Sequence, residues 1–286
     1  MSIKDAYTQL MYQLFELYDD RESANIADWV IENITGFKRI DRITHKQFAL
    51  NTFQQELLKK YSSELLQHKP VQYVLNEAWF AGMKFYVDEN VLIPRPETEE
   101  LVEWVVLESQ KLKVKSKKLL DIGTGSGCIP VALKKKLPQS DIHALDVSNG
   151  ALTVAEKNAT SLNMAITFHE INILNKDSLS KLPSFDIIVS NPPYIKQSEE
   201  KEMRNNVLLH EPHLALFVPD EDALLFYKTI ASFGLQHLNK NGQLFFEINE
   251  ALGKEVKELL EQNGYSNVEV KKDMQGKDRM VKATLT

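Results

Sequence analysis

Cysteine is almost absent from this sequence. Its 286 residues include only Cys128, which excludes an internal disulfide and fits a reducing compartment. No apolar stretch approaches the roughly 18–20 residues that a membrane span requires. The opening MSIKDAYTQLMYQLF places Asp5 and other polar residues where a secretory signal needs an apolar run, so a cytoplasmic protein with no membrane contact is expected. Positive charge is not in excess either. The 34 Lys and Arg against 40 Asp and Glu leave a formal net charge of -6, which argues against direct contact with nucleic acid but not against a basic protein partner. Histidines are few and scattered. His210-Glu211-Pro212-His213 is not His-Glu-x-x-His, and its proline breaks the helix that would align two imidazoles. No metal is expected. Ser-His-Asp arrangements, repeats and low-complexity tracts are also missing.

What is present is ordinary for a globular protein. Apolar residues make up 43% and charged residues 26%, with enough chain for one large domain or a large and a small one. Residues 1–75 read as a small helical bundle. Leu10, Leu14, Leu17 and Tyr18 recur at helical spacing, as do Ile26, Trp29, Val30 and Ile34, with Gly36 as a stop. Thr44 with Gln47 has the form of a capping box, ahead of a stripe of Phe53, Leu57, Tyr61 and Leu65. Residues 76–96 suggest a β-hairpin and linker, with aromatic and β-forming residues around Gly82 and Asn76 suited to a left-handed turn. Pro96 with Glu97, Glu99 and Glu100 opens a helix over about 97–110.

Strand and helix then alternate. Strands are expected at 119–122, 142–146, 166–171, 185–190 and 243–248, and helices at about 128–137, 149–162, 221–238 and 252–263. This rhythm predicts a parallel sheet covered on both faces. Segments 267–271 and 280–285, with Gly276-Lys277-Asp278 as a turn, predict a closing antiparallel hairpin. The lysine run at 111–118 reads as a solvated linker. The fold class is α/β, a Rossmann-like domain at 97–286 behind a helical domain at 1–75.

The stretch Asp121-Ile122-Gly123-Thr124-Gly125-Ser126-Gly127 carries a strand into a glycine-rich turn and then a helix. Alternate glycines let a ligand approach the backbone. The spacing is G-x-G-x-G rather than the dinucleotide G-x-G-x-x-G, with Cys128 where the third glycine would fall. Asp121 would repel a pyrophosphate but suits a cationic amine. Asp146 ends the next strand, where an acid grips ribose hydroxyls. A ribose ligand with an amino-acid tail and no phosphate describes S-adenosylmethionine. Asn172 is placed to read an adenine amino group and Ile173 to pack on the ring. The bland alternative is a tight turn with an incidental acid. Two acids at strand ends of one βαβ unit speak against it.

Asn191-Pro192-Pro193-Tyr194 follows the expected strand at 185–190. Its prolines stop ladder pairing and push Asn191 to extended geometry at a strand's carboxyl end, where open α/β sheets bind ligands. An amide nitrogen is a poor nucleophile, because its lone pair is delocalised into the carbonyl. A methyl transferase acting on it must bind both N–H groups so that the lone pair faces the methyl donor. The Asn191 side-chain oxygen and the Pro192 carbonyl are suitable acceptors, and Tyr194 can stack on the planar group. No strong base is needed, since the nitrogen becomes acidic once alkylated, and catalysis is mostly orientation. Asn191, Pro192 and Tyr194 are the candidate catalytic residues. Pro193 completes the substrate site, and Asn191 also borders the cofactor.

The segments Pro70-Val71-Gln72-Tyr73, Leu92-Ile93-Pro94-Arg95-Pro96-Glu97-Thr98-Glu99, Asp121 to Gly127, Asp146, Ser190 to Ile195, Glu211-Pro212, Lys272-Asp273 and Asp278-Arg279 together resemble the HemK/PrmC family. The resemblance implies a class I S-adenosylmethionine-dependent methyltransferase that modifies the glutamine of the GGQ motif in class 1 peptide chain release factors. It implies that Gly123, Thr124, Gly125, Ser126, Gly127 and Asp146 hold the cofactor, with S-adenosyl-L-homocysteine as product. Asn191 to Tyr194 would hold the substrate glutamine, and the helical domain would dock the release factor. A monomer is expected. Asn76 stands where the family usually has glycine, and Glu221-Asp222-Ala223 replaces its usual turn. Two alternatives stay open. One is an adenine-amino nucleic-acid methyltransferase using the same trap; the other is a non-catalytic S-adenosylmethionine-binding module.

Overall fold

The computed structural model describes residues 1–112 and 116–286, so the lysine run at 111–118 lies partly outside the described residues. The chain divides into two compact units. The first comprises Met1–Glu77 together with Arg204–His210. Its helices are α1 (Ile3–Leu14), α2 (Asp20–Thr35), α3 (Arg39–Thr44), α4 (Thr52–Leu65) and α5 (Val71–Leu75). Each begins or ends where local chemistry directs. Ser2 and Asp5 form a capping box on α1, Asp19 caps α2, and Gly36 ends α2 in the left-handed region at φ 72°. Asn76 ends α5 at φ 52°, as expected of a left-handed turn.

The expected box at Thr44 and Gln47 is not there. Thr44 closes α3, its hydroxyl donating back to the Ile40 and Asp41 carbonyls at 3.2 and 3.0 Å. The box belongs to Asn51 and Gln54, which satisfy each other's backbone N–H groups at 2.9 and 3.0 Å. The apolar stripe of α4 shifts accordingly. Leu58 and Leu65 are buried, whereas Phe53 is 71% exposed. With Leu10, Leu14, Val30 and Ile31 they form the core of this unit.

The second unit comprises Ala78–Met203 and Glu211–Thr286. It opens with a hairpin of β1 (Ala78–Phe80) and β2 (Met83–Phe85), turned by Ala81 and Gly82, both at positive φ. Helix α6 (Pro96–Ser109) follows, and then an alternation of β3 (Lys118–Ile122), α7 (Cys128–Lys136), β4 (Asp141–Asp146), α8 (Asn149–Ser161), β5 (Thr167–Glu170), α9 (Lys176–Leu179) and β6 (Phe185–Ser190). A short parallel pair, β7 (Ile195–Lys196) and β8 (Phe217–Val218), lies beyond. Between them in sequence runs α10 (Asn205–His210), which belongs to the first unit. The chain ends with α11 (Leu225–His237), β9 (Leu238–Glu247), α12 (Gly253–Gln262), β10 (Ser266–Lys272) and β11 (Asp278–Thr284).

The main sheet runs β10-β11-β9-β6-β3-β4-β5. Within it β11 is antiparallel to both neighbours and the other pairings are parallel. Alternate residues of each strand feed opposite faces. Leu120, Ile188 and Phe246 pack with Tyr227 and Ile230 of α11 and Val256 of α12. Leu119, Ile187 and Phe245 pack with Leu101 and Trp104 of α6 and Val131 of α7. Phe245 is fully buried and meets Trp104 edge to face with ring centroids 5.6 Å apart. Phe245→Ala is therefore expected to cost about 3–5 kcal/mol, read from the urea unfolding midpoint. A loss below about 1 kcal/mol would show that this face is loosely packed.

From β3 the chain builds outward through β4 and β5, then returns to place β6 on the other side. The crevice at the carboxyl ends of β3 and β6 is the switch point at which such sheets bind ligands.

Candidate active site

The loop after β3 is held from several sides. Gly123 and Thr124 donate their N–H groups to the Leu145 carbonyl at 2.9 and 3.0 Å. Asp146, at the end of β4, accepts the Gly125 N–H through Oδ2 at 2.9 Å and the Ser148 N–H through Oδ1 at 3.0 Å. Asn158 of α8 donates to the Ser126 carbonyl at 2.9 Å and also pairs with both backbone polar groups of Tyr86. Gly127 starts α7 at φ 77°, where an added Cβ would lie 3.0 Å from Ala155 Cβ. Glycine there lets α7 and α8 pack closely.

A cleft with about 990 Å³ of empty space, open to solvent, lies over this loop. Gly123, Gly125, Asp146, Asn172, Ile173, Asn191, Pro192 and Pro193 line it, so both sequence motifs reach one cavity. Val91, Leu145, Ile171, Leu174 and Ile230 supply apolar wall. Thr124, Ser126 and Gly127 are buried behind the loop rather than on the cleft surface. The hydroxyls of Thr124 and Ser126 and both oxygens of Asp121 are buried without a hydrogen-bond partner. Burial pushes the Asp121 carboxyl up to about 7, and the Asp146 charge adds to the rise. Burial also raises Asp146, against the pull of its backbone N–H donors. Burial pushes the Cys128 thiol up to about 12, which makes it inert as a nucleophile.

Asn191 stands at the end of β6, half-buried, beside a fully buried Ser190 whose hydroxyl donates to the Ile122 carbonyl at 2.7 Å. That bond ties the trap to the end of β3. Below Asn191 lies a polar network that the sequence did not reveal. Asn191 Nδ2 donates to Thr98 Oγ1 at 3.3 Å, and Thr98 Oγ1 donates to Glu247 Oε2 at 2.6 Å. Tyr194 reaches Glu247 Oε1 with its hydroxyl at 3.5 Å, and its ring packs against the core. Burial pushes the Glu247 carboxyl up to about 7, opposed by the Thr98 hydrogen bond and the positive Arg279. Arg95 pairs with the buried Glu211 at 2.6 Å, and the other Glu211 oxygen accepts the Ile93 N–H at 3.2 Å. The two motif segments at 92–99 and 211–212 thus meet in space.

Thr98 and Glu247 come to the site from α6 and β9, far apart in sequence, so no local spacing marks them. Among the described residues, no group of three His, Cys, Asp or Glu side chains is placed to hold a metal ion. No described helix is long and apolar enough to cross a membrane.

Two family models match the chain: the Methyltransferase small domain over residues 104–217 and the PrmC N-terminal domain over residues 6–75. The chain is 47% identical over 283 residues to a release factor glutamine methyltransferase of Flavobacterium psychrophilum, with 99% of each chain covered. It is 42% identical over 270 residues to a Bacteroides thetaiotaomicron protein of the same name, covering 94% of this chain and 95% of that one. Among solved structures, a methyltransferase from Pyrococcus furiosus superposes with a TM-score of 0.52 at 17% identity, covering 82% of this chain and 98% of that one. At that identity the likeness concerns the fold alone, which is that of the class I S-adenosylmethionine-dependent methyltransferases.

Proposed function

This chain belongs to the release factor glutamine methyltransferase family, and we propose that it methylates the side-chain amide nitrogen of the GGQ glutamine in class 1 peptide chain release factors. S-adenosylmethionine, when bound, supplies the electrophilic methyl group on its sulfonium and leaves as S-adenosylhomocysteine. The residues fit such a ligand. Each Asp146 oxygen has one backbone N–H and a lone pair left for a ribose hydroxyl. The buried Asp121 carboxyl behind the loop, pushed up to about 7 by burial, would be held ionised by a cationic amine brought to the loop. Gly123 and Gly125 admit close backbone approach. The Asn172 oxygen expected to read the adenine amino group already accepts the Leu174 N–H at 2.9 Å. Contrary to that expectation, its amide N–H groups would meet an adenine ring nitrogen, with Ile173 packing on the ring.

The acceptor side follows from Asn191. Its nitrogen is engaged by Thr98, which leaves the amide oxygen for one substrate N–H, with the Pro192 carbonyl for the other. Holding both N–H groups turns the nitrogen lone pair toward the methyl donor. Tyr194, anchored through Glu247 and the core, is not among the residues lining the cleft and supports the Asn191 loop from behind rather than stacking on the substrate amide. Pro193 stiffens the turn.

The observation that carries this function is a single cleft lined by both the glycine loop with Asp146 and by Asn191 to Pro193. The domain roles belong to the same proposal. Residues 1–75 dock the release factor, 76–96 form the hairpin and linker, and 97–286, apart from 204–210 of the first unit, perform transfer. The protein acts in the cytoplasm as a monomer and needs no nucleic acid. The test is incubation with methyl-labelled S-adenosylmethionine and either unmodified release factor or duplex DNA. Label on the release factor alone is expected. Label on DNA alone would instead establish the adenine reading, and cofactor binding without transfer to either would leave a binding module.

A further inference from the structure

Resting on that function, we infer that Thr98 and Glu247 are positioning residues that fix which way the Asn191 amide faces. Three side chains from three elements meet beneath the trap: Thr98 on α6, Asn191 after β6 and Glu247 ending β9. Thr98 is 3% exposed and Glu247 2%, so no bulk water substitutes for either partner. A threonine hydroxyl has one proton to give, and Glu247, once ionised above neutral pH, only accepts. The 2.6 Å bond to Glu247 Oε2 takes that proton, at a length typical of O–H bonds to an anion. Thr98 Oγ1 then has only lone pairs left, 3.3 Å from the Asn191 side chain.

The consequence is directional. Asn191 must turn its NH2 toward Thr98, because the reversed amide would set two acceptors against each other. The amide oxygen is thereby directed away from Thr98 to the substrate side, where the glutamine N–H groups need an acceptor. An asparagine without such a partner can present either end, and the wrong end sets donor against donor. Glu247 is itself held in place. Its other carboxylate oxygen receives the Tyr194 hydroxyl at 3.5 Å, and its backbone carbonyl receives the Tyr227 hydroxyl at 3.3 Å. Arg279 adds a positive charge, and that guanidinium is fixed by Asp273 at 3.2 Å and the Ile248 carbonyl at 3.4 Å.

The test uses the full chain, unmodified release factor and labelled S-adenosylmethionine, assayed above neutral pH. Thr98→Val keeps the shape and removes the acceptor; it is expected to lower kcat about a hundredfold. Cofactor Kd and KM for the release factor should stay close to wild type, while the thermal midpoint falls because Glu247 Oε2 and the Asn191 NH2 are left unpaired. Thr98→Ser restores the hydroxyl and should return kcat to within about threefold of wild type. Glu247→Gln can offer Thr98 either a donor or an acceptor, and its kcat should fall between those two. Wild-type kcat in Thr98→Val, or equal failure of the serine and valine variants, would overturn the positioning role. So would a loss of cofactor binding in Thr98→Val that matches its loss of rate. Wild-type kcat in Glu247→Gln would overturn the part assigned to Glu247. Absence of transfer by the wild-type protein would instead remove the function on which the inference rests.

Discussion

Asn191→Ala is expected to lower methyl transfer at least about a thousandfold while cofactor affinity falls by less than about tenfold. The asymmetry follows from where the side chain spends its polar atoms. Its nitrogen is held by Thr98, so its oxygen is the atom given to the substrate. The cofactor side of the cleft rests on Gly123, Gly125 and Asp146, none of which bonds to the Asn191 side chain. Truncation removes the acceptor that orients the amide and leaves the ribose and adenine contacts in place. Isothermal titration with S-adenosylmethionine, beside single-turnover transfer to a release factor, separates the two quantities. Equal losses in both would show that Asn191 mainly serves the cofactor. Asn191→Asp is expected not to rescue transfer in the same single-turnover assay. Both of its oxygens accept, so it competes with Glu247 for the single Thr98 proton and brings a second carboxylate close to the first.

The second large effect is at Asp146. Its two oxygens each take a backbone N–H, from Gly125 and from Ser148. Asp146→Asn is nearly isosteric, yet it turns an NH2 against one of those two donors. A buried donor left unpaired costs roughly 1–3 kcal/mol, and the ribose hydroxyl loses an anionic partner as well. Cofactor affinity is expected to fall about a hundredfold, with a smaller change in kcat once cofactor is saturating. Affinity within about threefold of wild type would place the ribose elsewhere.

The signals that made the fold legible are local ones. The βαβ rhythm rests on apolar runs such as Phe185 to Ser190, buried at every position, which read directly as a central strand. The closing hairpin and the left-handed Gly36 and Asn76 were visible for the same reason. Strand β9 starts at Leu238, earlier than the expected 243. Asn239 to Gly242 is polar and includes a left-handed Asn241, yet Leu238 already pairs with Phe185 before the register shifts to Gln243 opposite Ile187. The Thr44 box failed because a correct four-residue pattern competed with an equally good one at Asn51, and tertiary packing chose between them. At the site, the glycines, Asp146 and Asn191 were legible because each motif is contiguous and forces special backbone geometry. Thr98 lies within the 92–99 segment and Glu247 within the expected strand at 243–248, and no local pattern joins them, because their meaning lies in a contact between α6 and β9. The same holds for Asn158, which braces the glycine loop from α8.

The most direct test of the central claim is to locate the transferred methyl group. Release factor incubated with this protein and S-adenosylmethionine would be digested and its peptides fragmented in a mass spectrometer. A single added methyl on the side-chain nitrogen of the GGQ glutamine, absent when Asn191→Ala is used, is the predicted result. A methyl group on another residue, or transfer that survives the loss of Asn191, would contradict it.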